Sequence, residues 1–298
     1  MPESISWLHL SDLHFGLDHQ SWLWPKVKHD LFRDIEKISS ETNGWDLVFF
    51  TGDFTQGGKK DEFERLNKEL EELWNILSKG GRIPKLCPVP GSHDLVRPVD
   101  SSVLKTITQL WWQDANLRQQ FWKDSKCEYR IAIDKYFENY SNWMSKLPVP
   151  ALSFTAGILP GDFSTTFEKN SVKMGIVGLN STFIQIAPGD FKEKLDLHIS
   201  QLNAVCDGDP DSWLHKKTMS VLLTHQPPHW LFKSAQQHYR QEIYPPGRFF
   251  AHFFGHDHES GASDLSEAGG SPRRLRQAPS MFGLEHLDGV DSEKRIHG

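Results

Sequence analysis

The sequence predicts an α/β fold in which helices cover a sheet, and three observations carry that reading. Leu47-Val48-Phe49-Phe50 is a continuous apolar run, as in a strand covered on both faces. Phe63, Leu66, Leu70, Leu73 and Leu77 fall on one helical stripe between Lys60 and Ser78. Strand and helix patterns alternate through the first 95 residues, the rhythm of a sheet layered with helices.

In chain order, Ile5 to Leu10 is a short apolar strand feeding Ser11-Asp12-Leu13-His14. Val27, Leu31, Ile35 and Ile38 recur at helical spacing, which predicts a helix from about Lys26 to Ser39. Asn43-Gly44 breaks it. The apolar run at 47–50 then delivers Thr51-Gly52-Asp53. Gly80-Gly81 ends the second helix, and Lys85 to Val89 is a strand leading into Pro90-Gly91-Ser92-His93-Asp94.

Residues 95–153 break the rhythm. They read as a helical insertion within one domain spanning 1–298, heavy in aromatics such as Trp111, Trp112, Trp122 and Trp143. The rings serve as the core of a small subdomain, with one or two free to face a pocket as a cap. Pro148 and Pro150 close the segment. Phe163 to Phe167 and Val172 to Val177 then form a hairpin about Lys169-Asn170. Leu197 to Val205 is a short helix. Met219 to Leu223 is a buried strand ending at Thr224-His225, and Phe249 to Phe254 is another, ending at Gly255-His256-Asp257-His258. Ser260 to Ser271, small and polar, is expected to be a loop. Ser280 to Leu284 is expected to be one more strand.

Bulk composition narrows the function classes. The 298 residues suffice for a large core, and no stretch is long and apolar enough to suggest a membrane span. The formal charge of −6 argues against a protein that coats nucleic acid through bulk charge. Cys87, Cys127 and Cys206 are few and odd in number, so they form no disulfide framework. A cytoplasmic location is expected from reduced cysteines and the lack of a secretory start. Gly289 to Gly298 stops where another hairpin strand could begin, so a catalytic module cut from a longer protein is expected, with a C-terminal regulatory or NTPase region absent from the chain. A short frayed tail is the alternative. Oligomeric state is not legible.

The chemistry lies in five short clusters, most of them following an apolar run. Asp12, His14, Asp53, His225, His256 and His258 supply carboxylate oxygens and imidazole nitrogens, a donor set suited to a pair of divalent ions. Asp-x-His and His-x-His place two ligands on one side of an extended segment. Asp53, behind a glycine, suits a bridging role, because its negative charge offsets repulsion between neighbouring cations. Such an ion pair acidifies water and stabilises charge on phosphoryl oxygens. His93 is the proton donor to the leaving alkoxide, with Asp94 orienting it and favouring its charged form. Each cluster alone has a plainer reading as a turn, a cap or a packed histidine, and His9, His19, His29, His198, His215 and His286 illustrate it. The joint order points to a metal-dependent hydrolase.

With those residues the chain resembles the calcineurin-like metallophosphoesterase superfamily. The matching positions are Asp12-Leu13-His14, Gly52-Asp53, Gly91-Ser92-His93-Asp94, His225 and Gly255-His256-Asp257-His258, with Gly178-Leu179-Asn180-Ser181 a further element. The resemblance spans about residues 5–260. It implies a four-layer α/β/β/α sandwich of two mixed sheets with the dimetal site at one edge. It also implies that Asp12, His14, Asp53 and His258 hold one ion. Asp53, His225 and His256 hold the other, together with position 92. There the chain departs: the family has Asn, and this chain has Ser92. A hydroxyl is a shorter neutral donor. Either it coordinates weakly, or a water fills the gap, or the second ion binds less tightly. The resemblance leads to two Mn²⁺ ions first, with Zn²⁺, Fe and Ni²⁺ as alternatives.

The motifs are specific for the superfamily and weak for substrate. Phosphodiester hydrolysis is expected, with a DNA or RNA nuclease placed first. Cyclic or small-nucleotide phosphodiesterase, phosphomonoesterase and protein phosphatase follow. A binding or scaffolding module with weakened catalysis is the rival of a different class. Arg273, Arg274 and Arg276 form a basic cluster that could hold a backbone phosphate, as could Lys59 and Lys60. A solvated surface is the plainer reading of both.

Overall fold

The computed structural model describes residues 4–16, 24–97, 102–266, 270–281, 284–285 and 295–296. Three parallel strands, β1 (Trp7–Leu10), β2 (Leu47–Phe50) and β3 (Lys85–Pro88), form one sheet in the order β1-β2-β3. Helix α1 (Trp24–Thr42) and helix α2 (Lys60–Ser78) make the crossovers. The 47–50 run is fully buried, as its lack of polar alternation requires. Its residues divide by face. Val48 and Phe50 pack with Ile35, Leu66 and Leu70 of the helices, while Leu47 and Phe49 face the second sheet.

That second sheet has seven strands: β4 (Thr155–Ala156), β5 (Phe163–Lys169), β6 (Val172–Gly178), β7 (Met219–Leu223), β8 (Ala251–Phe254), β9 (Gly261–Leu265) and β10 (Arg273–Gln277). They run in the order β4-β5-β6-β7-β8-β10-β9. The β6-β7-β8-β10 block is parallel, and the edges are antiparallel. Phe163, Ile176, Val221, Leu223 and Phe253 meet Phe49, Cys87 and Val89 to make the core between the sheets. Helices α7 (Ile199–Val205), α8 (Pro210–His215) and α9 (Lys233–His238) lie in the second half, and Leu202, Val205 and Ala235 join Val177 and Leu222 in the other core cluster. The result is a helix–sheet–sheet–helix sandwich. A short pair, β11 (Leu284–Glu285) and β12 (Arg295–Ile296), stands apart from both sheets.

Among the described residues between β3 and β4 there are four helices: α3 (Ser102–Leu110), α4 (Ala115–Lys123), α5 (Glu128–Tyr136) and α6 (Glu138–Met144). Asp114 caps α4 by accepting from the Asn116 and Leu117 amides. Most of the aromatics here are core. Trp111, Phe121, Phe137 and Tyr140 are almost fully buried, and Trp111 meets Phe183 edge-on at 5.4 Å. Trp112 stacks on Phe232 at 4.3 Å and Trp122 on His198 at 4.6 Å, so these two seal the seam to the sandwich.

Two expectations need correction. The segment 260–271 is not all loop: Gly261–Leu265 is edge strand β9, antiparallel to β10. All five residues are exposed, so no apolar alternation marks the strand in the sequence. Ser280 and Met281 are not strand. Among the described residues of the expected Ser280–Leu284 strand only Leu284 is in one, the short β11, and the sheet strand before it is Arg273–Gln277, parallel to β8. His19, His286 and most of Gly289 to Gly298 lie outside the described residues. The three cysteines are free and buried. No helix among the described residues is long and apolar enough to cross a membrane.

Candidate metal centre

Five strands from the two sheets end side by side, and each delivers one cluster. β1 leads to Asp12 and His14, β2 to Asp53, β3 to Ser92 and His93, β7 to His225, and β8 to His256 and His258. Backbone bonds tie the ends together: Asp12 N–H donates to Gly52 O at 3.0 Å, and His14 N–H to Asp53 O at 2.9 Å.

The local backbone is unusual. Asp12, His14, Asp53, His256 and His258 have left-handed φ of 55, 49, 55, 74 and 61°. They make up five of the nine such non-glycine residues among those described. The left-handed region costs an L-residue about 1–2 kcal/mol, and such strain gathers at functional sites. This corrects the expectation of extended segments. Asp12 and His14 reach one nest, and His256 and His258 reach two adjoining ones, from left-handed backbone rather than from the alternation of a strand. Two glycines permit the close approach. A Cβ on Gly91 would sit 2.1 Å from Asp53 Oδ1, and one on Gly255 would sit 1.9 Å from Ser11 Oγ.

The side chains form two adjoining nests. In the first, His14 Nε2 faces His258 Nε2 at 3.1 Å, and Asp12 Oδ1 lies 3.8 and 3.5 Å from those two rings. In the second, His256 Nδ1 faces His225 Nε2 at 3.1 Å, and Asp53 Oδ2 lies 3.2 Å from His225. Asp53 Oδ2 also lies 3.7 Å from His14, so one oxygen serves both nests. Its other oxygen, Oδ1, accepts the His93 N–H at 2.8 Å. Asp12 Oδ2 accepts the His256 N–H at 3.0 Å. His225 Nδ1–H donates to Thr51 O at 2.7 Å, which leaves Nε2 directed at the nest.

These residues suit divalent ions. Asp12 Oδ1 is buried with no hydrogen-bond donor, an expensive arrangement that a cation relieves. Burial pulls His14 down to about 4 and His256 to about 3, so both rings are neutral and available as donors at neutral pH. Despite its burial, His225 is lifted to about 9, chiefly by Asp53, so the local field draws positive charge to that nitrogen. Despite its own burial, Asp53 is held well below the carboxylate range by His225, His93 and His14. Asp12, His14 and His258 can converge on one ion, and Asp53, His225 and His256 on another.

The Gly91–Asp94 loop closes the site. Ser92 is 1 % exposed and sits between Gly91, which touches Asp53, and His93, which donates to it. The His93 Nδ1–H donates to Gln56 O at 2.9 Å, and the ring packs edge-on to His14 at 4.8 Å. Its ring nitrogen joins His14 and Asp53 in a third possible nest. The expectation that Asp94 orients the His93 ring is corrected, because Gln56 does so. Asp94 staples the loop by accepting from the Phe54, Thr55 and Gly91 amides and the Thr55 hydroxyl. Burial and the nearby Asp53 push its carboxyl up to about 7, against those four donors.

The basic clusters do not converge on the cage. Arg274 Nε lies 3.7 Å and Arg276 Nη1 2.7 Å from Asp264 carboxylate oxygens across the β9–β10 pair, while Arg273 is buried on the opposite side, its Nη1 donating to Arg240 O. Lys59 is the N-cap of α2 and Lys60 pairs loosely with Glu64, both in solvent.

Sequence reasoning missed several neighbours. The Trp230 ring stands edge-on to His256 at 4.1 Å, and its Nε1–H donates to Asp257 at 2.8 Å. His229 pairs with the same carboxylate at 3.1 Å. Ser280 Oγ donates to Asp12 O at 2.8 Å. Arg97 Nη2 donates to Ser92 O at 3.3 Å. Only Arg97 carried a signal, being a cation three residues past Asp94.

The calcineurin-like phosphoesterase family profile matches residues 5–260, so the chain belongs to that family and is a metal-dependent phosphoesterase. No curated protein matches the sequence. Among solved structures, a dimetal phosphatase from Danio rerio is 13% identical, with a TM-score of 0.47 over 93% of this chain and 88% of that one. A 5′-nucleotidase from Candida albicans is 14% identical, with a TM-score of 0.46 over 95% of this chain and 47% of that one. A Staphylococcus aureus chain solved with alpha-ketoglutarate is 11% identical, with a TM-score of 0.45 over 98% of this chain and 52% of that one. The chain thus spans about half the length of the last two. No activity is carried over from any of them.

Proposed function

We propose that this calcineurin-like phosphoesterase hydrolyses phosphodiesters, with Asp12, His14, Asp53 and His258 holding one divalent ion and Asp53, His225, His256 and Ser92 a second. When bound, such ions supply positive charge against phosphoryl oxygens and acidify water. His93 carries the reading from phosphoester to diester. Its Nδ1–H is committed to Gln56 O, which leaves Nε2 to give a proton to a leaving alkoxide beside the cage. An ester that expels a basic alkoxide, as nucleotide diesters do, gains most from a placed donor. Gln56 fixes the ring and Asp94 fixes the loop, so the donor is preorganised.

Nucleic acid moves from first place among substrates. Part of its sequence support was the arginine cluster, and two of those cations share one carboxylate, Asp264. Small nucleotide diesters now stand beside it. Mn²⁺ is the ion to supply first, since mixed carboxylate and imidazole donors suit it.

The test is an Mn²⁺-supplemented panel of bis-p-nitrophenyl phosphate, p-nitrophenyl phosphate, cyclic nucleotides, RNA, and single- and double-stranded DNA. Diester cleavage that Asp53→Ala abolishes and His93→Ala cuts strongly is expected. Faster turnover of the monoester, unchanged in His93→Ala, would sink the diester reading.

A further inference from the structure

The loop that presents His93 carries one more charged group, Arg97, which none of the roles above employs. Its side chain is partly buried. Its one hydrogen bond among the described residues is the 3.3 Å contact from Nη2 to the Ser92 carbonyl. A guanidinium has five N–H donors in a planar fork, so most of its donor capacity is unspent. Several other arginines meet carboxylates (Arg65 with Asp61, Arg82 with Asp46, Arg248 with Asp211, and Arg274 and Arg276 with Asp264), while buried Arg130 donates to two backbone carbonyls, those of Phe121 and Ile158. No ion pair forms on Arg97 among the described residues. The acidic group whose field reaches it is Asp53. That carboxylate is already turned to the His93 amide and the imidazoles of His14 and His225. A partly desolvated cation with no ion-paired carboxylate among the described residues is costly. Fold support does not explain the cost, because the loop is held without this side chain. Asp94 takes four donors, the His93 N–H binds Asp53, and the Val96 N–H donates to Tyr136 O at 2.9 Å.

We propose that Arg97 binds a non-bridging phosphoryl oxygen of the substrate, and the phosphate group of the product, at the Ser92 side of the cage. The inference rests on the phosphoesterase-site reading given above. An oxyanion supplies the missing counter-charge, and the guanidinium fork matches two phosphoryl oxygens at once. The anchor on Ser92 O fixes the guanidinium one residue from His93, so the phosphoryl group is presented to the proton donor. A phosphomonoester, a dianion, gains more from this cation than a diester monoanion.

Calorimetric titration of Mn²⁺-loaded protein with inorganic phosphate tests this apart from turnover, alongside KM and kcat for mono- and bis-p-nitrophenyl phosphate. Arg97→Gln is expected to weaken phosphate binding and raise KM by about tenfold to a hundredfold, the range of a charge-assisted hydrogen bond. The rise is expected to be larger for the monoester, with melting temperature and Mn²⁺ content unchanged. Arg97→Lys is expected to recover part of the loss. Phosphate affinity within twofold of the parent overturns the proposal. So does a fall in melting temperature or Mn²⁺ content that accounts for the lost affinity and that lysine restores together with it. If the parent cleaves no ester yet binds phosphate through Arg97, the inference stands and the diester reading falls. If parent and variant cleave diesters and bind phosphate alike, the reverse holds.

Discussion

The cage and the arginine cluster are opposite cases of one question: when does a group of similar residues make a site? His14 and His258 are 244 positions apart, yet their Nε2 atoms lie at 3.1 Å. Arg273, Arg274 and Arg276 fall within four positions and separate. Arg274 and Arg276 turn to Asp264, and Arg273 is buried on the other side. The difference follows from the sheets. Parallel neighbours end at one edge, so residues just past β1, β2, β3, β7 and β8 are brought together however far apart they lie in the chain. Residues along a single strand alternate between its two sides and diverge. Convergence from several strand ends marks the site better than density along the chain.

The largest expected effect breaks the convergent case at its shared point. Asp53 Oδ2 faces both nests, so Asp53→Ala should release both ions, whereas His258→Ala should affect one. Metal content read by mass spectrometry after desalting checks this. Retention of a full ion by Asp53→Ala would show that the two nests are independent. Next in size is His93. Removing a placed general acid costs about 10²–10⁴ in rate. The loss in His93→Ala should shrink for esters with good leaving groups, and a loss independent of leaving group would assign the residue to binding.

The fold and cage were legible for different reasons. Strands and helices were readable where burial imposes a period, as at Leu47–Phe50 and Lys60–Ser78. Exposed β9 imposes none. The ligand candidates were readable because each follows a strand-forming apolar run, buried throughout in β2 and β8 and less so in β1. How the ligands converge was not, because the left-handed φ at Asp12, His14, Asp53, His256 and His258 is a product of tertiary packing. Nor could the sequence assign the His93 ring to Gln56, since a backbone carbonyl has no residue signature.

Histidines that do not converge sharpen the contrast through stability. His252 is buried among Thr224, Tyr239 and Phe254, and burial pulls it down to about 3. The unfolded chain therefore takes up this proton first as pH falls. The stability gained by keeping the ring neutral is complete above the ordinary value of 6.5 and is lost as pH falls toward 3. In EDTA-treated protein, His252→Gln should flatten the fall in melting temperature across that window by one proton's worth of slope. An unchanged slope would mean the ring is not buried neutral. At neutral pH with saturating Mn²⁺, activity should barely move. A smaller effect is expected at Ser92. Ser92→Asn should tighten the second ion severalfold in an Mn²⁺ titration and leave the first unchanged. Equal titration curves would show that the shorter hydroxyl holds its ion as well as the amide does.

The smallest expected effect concerns the divergent cluster itself. Asp264 already pairs with Arg274 and Arg276 at a half-exposed edge, where such pairs contribute about 0–1 kcal/mol. The double change Arg274→Ala with Arg276→Ala should therefore leave KM for a DNA or RNA oligonucleotide within about twofold, and its salt dependence unaltered. If KM instead rises tenfold and the slope of log KM against log salt falls, the cations do reach a phosphate backbone. Nucleic acid would then regain first place among the substrates, and density along one strand would have made a site after all. The two arginines would have to leave Asp264 to do so. Asp264→Ala should then lower KM in the same assay, and the gain should vanish when both arginines are replaced as well.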